Sequence, residues 1–401
     1  NTIEKININS EYNDFGAVVL NDSLLVFASS RDDGVSTKRL YAWDEQPLMD
    51  VFVANIESGN LENTVMLEGD VNTKHHDGPV TFNGDGTKMY FSRNNYYENK
   101  KIKDDSGVMH VGIYSAELVE GLWMNVKQSN LNSSQYTVYH PSLSKDGKQL
   151  YFASDMPGGI GGMDIYMSAV NEDASLGEPV NLGPNINTEG NEVFPFIHHD
   201  DNTLYFSSDG LVGLGLLDVF AGVRGEDGSF VNAINLAEPI NSKKDDFGYY
   251  LADDTFSGYI SSNRKGGAGG DDIYAFTRIP PLMMKGKIVD AINNQPIAGA
   301  TVVLKTNSGE DLATFITNED GYYEQMIPRD RNFVLQGTKE KYQPVIKTFT
   351  THGLSTQREV IVDLNIGLIP VLDVEVLADL NTIYFDFDKS YIRPDAAEEL
   401  D

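Results

Sequence analysis

The stretch that most constrains this chain is KDGKQLYFASDMPGGIGGMDIY, residues 145–166, because the region from residue 1 to 278 is built from copies and variations of it. It reads as turn, strand, glycine loop, strand. Asp146 and Gly147 suit a tight turn, Gln149 to Ala153 alternates and is rich in aromatics, and Asp164 opens a second strand after four glycines. The phrase returns as DDNTLYFSSDGLVGLGLLDVF and as DDTFSGYISSNRKGGAGGDDIY, with weaker copies in NGDGTKMYFSRN and NDSLLVFASS. Aligning the last residue of each aromatic core gives Phe27, Phe91, Phe152, Phe206 and Ile260, spaced by 64, 61, 54 and 54 residues. Five copies of one supersecondary unit predict a repeat architecture.

Each unit holds four strand candidates, in the third VYHPSL, QLYFAS, DIYMSAV and EPVNLG, with no helical periodicity. Four-stranded units repeated radially make a β-propeller, in which only short sheet edges are left. The fifth unit stops after DIYAFTR and lacks its fourth strand. The opening EKININSEYNDFG matches the fourth-strand phrases VNLGPNINTEGNE and INLAEPINSKKDDFG, so residues 2–8 are expected to complete blade five and close a five-bladed ring.

The phrase resembles the Pro-Ser-x-Asp-Gly-x-x-Leu-Tyr-Phe-x-Ser repeats of TolB-like, WD-repeat-like propellers, which His140 to Tyr166 match almost throughout. An aspartate recurs at the start of the third strand as Asp50, Asp164, Asp218 and Asp272, and blade two has Gly112 instead. Repetition in four blades points to a structural residue that caps the glycine loop, since a catalytic pair occurs once. The clusters at Gly158–Gly162 and Gly266–Gly270 look like phosphate cradles but are followed by strands, and a phosphate site needs a helix N-terminus. NGDGTK at Asn83 lacks the later glutamate of a calcium loop. His75-His76 and His198-His199 occupy different places in their repeats, so no metal or cofactor site is expected.

Where the repeats diverge, they do so in the loop after the aromatic strand. Thirteen positions separate it from the next strand in blades three to five, against 24 in blade one and 22 in blade two. Blade one adds Arg31, Lys38, Arg39, Tyr41 and Trp43; blade two adds Arg93, Tyr96, Tyr97, Lys100, Lys101 and Lys103; blade four adds Leu211, Val212, Leu214 and Leu216. On a chain of formal net charge −30, a basic and aromatic cluster is a candidate protein-docking patch. The same acidity makes nucleic acid and anionic lipid poor partners, and no apolar run is long enough to span a bilayer. There are no cysteines, hence no disulfides.

Pro280 and Pro281 mark a linker at 279–282. Residues 283–369 read as about seven short strands, a small β-sandwich. Gly286, Val289, Asp290, Pro296, Gly299, Ala300, Val302, Thr317, Asp320, Gly321 and Tyr323 resemble carboxypeptidase-regulatory-like, transthyretin-like domains, which implies a fold and no chemistry. A second linker at 370–380 precedes NTIYFDFDKSYIRPDAAEELD, residues 381–401. This tail resembles the first strand and helix of an OmpA-like peptidoglycan-binding α/β domain at Phe385, Asp386, Asp388, Ser390, Ile392, Pro394 and Ala396. A chain opening on Asn within a strand-like run reads as a fragment.

The domain order resembles that of PorE-like periplasmic OmpA-family proteins of type IX secretion and gliding systems. The resemblance implies a non-catalytic periplasmic scaffold at the outer membrane. Its propeller would dock a membrane or secretion-system protein, and an OmpA-like part beyond the chain would hold peptidoglycan. The rival expectation is a carbohydrate-active or glycan-binding propeller. Hydrolysis would need two carboxylates about 5–10 Å apart on the channel, with Asp14, Glu192 and Asp246 as candidates.

Overall fold

The computed structural model describes residues 2–31, 46–57, 59–225, 227–253, 256–278, 282–354, 362–363 and 366–370. The chain divides into two compact units, Asn1–Arg278 and Ile279–Asp401. All the described regular structure is β-sheet.

The first unit is a ring of five antiparallel four-stranded sheets. Blade one runs through Asp14–Leu20, Leu24–Ser29, Asp50–Glu57 and Asn60–Met66, and blade two through Asp77–Phe82, Lys88–Asn94, Val111–Val119 and Leu122–Gln128. Blade three has Val138–Leu143, Gln149–Ser154, Asp164–Ala169 and Val180–Asn181. Blade four has Glu192–Ile197, Thr203–Ser208, Asp218–Arg224 and Phe230–Asn235. Blade five has Asp246–Leu251, Ser257–Ser262 and Asp272–Thr277, and Thr2–Lys5 supplies its outer strand, pairing from Thr2 against Thr277 to Lys5 against Tyr274. The ends of the unit therefore close the ring, which leaves the first blade's sheet joined to the last by hydrogen bonds.

The alternation in each second strand is the origin of the packing. In Gln149–Ser154 the side chains of Leu150 and Phe152 enter one interblade core while Tyr151 enters the next, so a single strand contributes to two. Phe27, Phe91, Phe152 and Phe206 are fully buried at equivalent places, each contributing roughly 1.5–3 kcal/mol through its removal from water. Hydroxyls on the first or second strand of one blade bond the inner strand of the next. Ser92 accepts the His140 N–H at 2.9 Å, Ser142 that of Ile197 at 3.0 Å, and Ser261 that of Gly16 at 3.0 Å.

A further device repeats in all five blades. Asn9, Asn72, Asn132, Asn187 and Asn241 each hold both backbone groups of a residue one or two places into a third strand. Asn187 accepts the Ile165 N–H at 2.8 Å and donates to its carbonyl at 3.0 Å. Asn241 does the same for Val219 at 2.8 and 2.9 Å, Asn72 for Val51, Asn132 for Ile113, and Asn9 for Ile273.

In the second unit, Leu282–Asp290 pairs with Tyr322–Ile327 and runs parallel to Ile366–Pro370, and its first residue lies inside the expected linker. A second sheet is ordered Asp311–Ile316, Thr301–Thr306, Asn332–Thr338, Val345–Thr350. Met284, Ile288, Val302, Leu304, Tyr323, Phe333 and Leu335 share one core between them. Thr317 accepts the Ala300 N–H at 2.9 Å and donates to Ile297 at 2.7 Å, and Gly321 takes φ +68° with the Ile288 carbonyl where a Cβ would sit. The expected OmpA-like segment, 381–401, lies outside the described residues.

Candidate functional site

The recurring aspartates tie down the glycine loops. Asp164 accepts the Ile160 and Gly161 N–H groups at 2.5 and 3.2 Å and Asn181 Nδ2 at 2.8 Å; Asp272 accepts those of Ala268 and Gly269; Asp218 accepts those of Leu214 and Gly215. In blade two the side chains of Asn132 and Asn95 fill the space beside Gly112. At the hairpin turn of blade two, Asn83 and Asp85 accept the Thr87 N–H at 2.9 and 3.0 Å, an ordinary local turn. Among the described residues no group of three or more His, Asp and Glu side chains is placed to hold a metal ion.

The inner-strand carboxylates are equally structural. Asp14, Glu192 and Asp246 are fully buried and do not face the channel as an acid and base pair. Each reaches back four residues to a Ser or Thr. Asp14 accepts Ser10 N and Oγ at 2.6 and 2.7 Å, Glu192 accepts Thr188 N and Oγ1 at 2.7 Å each, and Asp246 accepts Ser242 N at 2.5 Å. Asp77 does the same with Thr73. Three of the four are paired with arginine: Arg31 with Asp14 at 2.6 Å, Arg93 with Asp77 at 2.5 Å and Arg264 with Asp246 at 2.5 Å. Each guanidinium also reaches backbone carbonyls of the preceding connection, Arg264 those of Pro239 and Ile240. Burial pushes the Asp77 carboxyl up to about 6 against the opposing pull of Arg93, and burial raises Glu192, which has Ser208 in place of an arginine.

This placement removes part of the expected docking patch. Arg31 and Arg93 turn inward, where each compensates a buried carboxylate that would be costly to leave unpaired, and Tyr96 is buried against His75 at 4.5 Å between ring centroids. Tyr97 packs on Tyr114, and Leu211 against the core between blades three and four. Lys100, Lys101 and Lys103 are exposed, as are Leu214, Leu216 and, at 95%, Val212. Lys38, Arg39 and Trp43 lie outside the described residues.

The unusual geometry is on the axis. Every inner strand carries a β-bulge with one residue in the left-handed region: Gly16 (φ +67°), Gly78 (+99°), His140 (+52°), Phe194 (+50°) and Gly248 (+60°). Glycine adopts this conformation without cost, whereas a residue with a bulky side chain there is strained by about 1–3 kcal/mol. Blades three and four accept that strain and place His140 and Phe194 on the axis. Their rings stack with centroids 3.6 Å apart and planes 18° apart, Tyr139 covers the other side of the imidazole at 3.7 Å, and Phe247 leans on Phe194 at 4.9 Å. Phe15 contacts both phenylalanines edge-on at 5.9 and 6.1 Å.

This aromatic plug separates two cavities. On the side of the hairpin turns is one of about 290 Å³, walled by the inner strands of all five blades, with Phe196 and Tyr250 on its flank and Asn21, Asp22, Asn83, Lys145, His199 and Asp253 among its lining residues. Lys145 pairs with Asp253 at 3.4 Å, His199 contacts the same carboxylate, and burial lowers the His199 pKa. On the side of the glycine loops is one of about 490 Å³ containing Met49, His75, His76, Met109 and Tyr139. Pro79 and His140 border both. Motif reading missed His140 and Phe194, although an alignment of the five inner strands shows Gly, Gly, His, Phe and Gly at the bulge.

No protein-family model matches this sequence, and no curated protein matches it. Solved structures that match the propeller include an endo-arabinase from Bacteroides thetaiotaomicron VPI-5482, at 13% identity over 68% of this chain and 96% of that one, with a TM-score of 0.44. A thermostable family-43 glycoside hydrolase matches at 12% over 68% and 91%, TM-score 0.42, and an α-L-arabinofuranosidase from Lactobacillus brevis at 13% over 68% and 93%, TM-score 0.39. These values pass no substrate or mechanism to this chain. The expectation of a non-catalytic chain is not upheld: the solved structures that match over about two thirds of the chain include three named as an arabinase, a glycoside hydrolase and an arabinofuranosidase, and one named as an oligogalacturonate lyase.

Proposed function

We propose that the chain is a carbohydrate-active or glycan-binding propeller protein whose site is the cavity on the hairpin-turn side of the axis. The observation that carries this reading is the composition of that cavity. Aromatic side chains form its floor and part of its wall, while amides, carboxylates, a lysine and a histidine supply hydrogen-bonding groups along its lining. Such a mixture suits sugars, which present both apolar C–H faces and hydroxyls. Its volume is near the lower end of the range for small-molecule sites, which suits one or two sugar units. The test is titration of the full chain against a panel of defined oligosaccharides, with product analysis to separate binding from hydrolysis. The expected outcome is saturable binding of at least one neutral glycan, reduced by Tyr250→Ala, and a panel with no binder overturns the reading.

The exposed Val212, Leu214 and Leu216 at the blade-four loop favour a second reading, in which this loop docks a protein partner. The resemblance in domain order supports a periplasmic setting, with an outer-membrane or secretion-system protein as partner and peptidoglycan held by an OmpA-like part. Purification of the full-length protein from gently solubilised envelopes, with and without Leu214→Ser and Leu216→Ser, tests it. An envelope protein retained by the wild type and lost from the double variant supports docking, and equal recovery overturns it.

A further inference from the structure

The left-handed histidine and phenylalanine on the axis are unexplained by folding alone, because three of five blades build the same bulge with glycine. Strain of this kind persists where the surroundings over-determine it, and it clusters at binding and catalytic sites. Three observations say what these two residues do. First, their stacked rings, with Phe15 and Phe247, plug the axis, so the cavity on the hairpin-turn side is closed at its base and a chain entering it cannot pass through. Second, the Phe194 N–H donates to His140 Nδ1 at 3.3 Å, which places the imidazole proton on Nε2. Third, no described residue bonds to Nε2, and the ring lines this cavity as well as the one on the glycine-loop side, which leaves the N–H available to a ligand. Burial keeps the ring well below its ordinary pKa of 6.5, hence neutral, and leaves it a donor without charge. The neighbouring rings are aromatic and uncharged, and the only lysine lining the cavity, Lys145, is already paired with Asp253, so an anionic ligand gains little there.

Resting on the carbohydrate reading above, we propose that His140 and Phe194 form the stop of a chain-end site: the terminal unit of a neutral, linear glycan seats on the plug, His140 Nε2–H donates to one of its oxygens, and the rest of the chain leaves through the mouth. The plug thus selects ends over internal segments.

The experiment titrates the full chain with linear hexaoses of glucose, xylose and arabinose, and with α-cyclodextrin, a ring of glucose units that has no end. His140→Gly and Phe194→Gly are run beside it, since glycine is the residue that the other blades use at this bulge. The expected result is binding of a linear hexaose, no binding of the cyclodextrin, and a loss of about tenfold or more in affinity in each glycine variant. Hexaose binding unchanged in both variants, or a cyclodextrin bound as tightly as linear maltohexaose, overturns the chain-end site while leaving the carbohydrate reading intact. Absence of any hexaose binding overturns both. A readout independent of the variants is the ¹⁵N-histidine spectrum of the wild type. The His140 Nε2 resonance is expected to shift on saturation with the bound hexaose, and a stationary resonance under saturation overturns the proposed donor.

Discussion

Blades one, two and five solve the channel in one way and blades three and four in another. In the first group a glycine turns the bulge and an arginine neutralises the buried inner-strand aspartate, Arg31 with Asp14, Arg93 with Asp77 and Arg264 with Asp246. In the second group no such arginine is present. Blade four keeps only Glu192, bonded to hydroxyls, blade three opens its inner strand with Val138, and both bulges carry an aromatic ring. The difference teaches where the repeat serves the ring and where it serves the axis. The glycine and arginine pair is the economical way to build a blade, so the departures, adjacent in the ring and stacked on one another, mark the side on which the channel has been modified.

The strongest way to break this comparison is Arg93→Ala. It strands Asp77 in the interior and removes the guanidinium from above Phe91, so a loss of about 3–5 kcal/mol is expected in chemical denaturation. Wild-type stability in that variant would show that the arginine is dispensable to its blade. Next is Gly248→Ala. The new Cβ meets Ser261 Oγ at 3.0 Å in a left-handed conformation, for an expected cost of about 1–3 kcal/mol, whereas His140→Gly at the equivalent bulge should keep a cooperative transition. Asn187→Ala leaves the Ile165 N–H without its partner, while the carbonyl keeps the Leu182 N–H at 3.1 Å, and should cost about 1–3 kcal/mol, with loss of amide-exchange protection at Ile165 as a second readout.

A smaller effect separates the groups by pH. The native His140 resists protonation, while the unfolded chain takes up a proton below 6.5, so stability is lost as pH falls below that value, by at most about 1.4 kcal/mol per pH unit. Denaturation of wild type and His140→Gln at pH 7.0 and pH 5.5 checks this, the variant being expected to lose less. Charge reversal at the exposed Lys100, Lys101 and Lys103 should change stability by no more than about 0.5 kcal/mol per site.

Much of the ring was legible because its signals are local and repeated. The alternation of QLYFAS, the turns at Asp146-Gly147 and the match of the opening residues to earlier fourth strands each depend on near neighbours along the chain. The Asn-Ser/Thr dipeptide at Asn9, Asn72, Asn132, Asn187 and Asn241 was equally available, and in four blades it is followed at a constant distance by Asp14, Asp77, Glu192 or Asp246. It has the spacing of the repeat but a composition that reads as ordinary loop. The basic loop residues misled for the opposite reason. Arg31 and Arg93 belong by composition to a surface patch, and only the position of a carboxylate 17 and 16 residues upstream turns them inward.

What the sequence determined by itself is the all-β ring, its count of five and its closure by the first residues, since hydrophobic period and turn chemistry act within a few residues. Only the tertiary structure decided the axis. Whether His140 and Phe194 are loop residues or a stacked plug depends on inner strands converging at one place, and residues 54 apart meet there at 3.6 Å because the inner strands of blades three and four pack side by side. Convergence of that kind is a property of the assembled blades, and no segment read alone contains it.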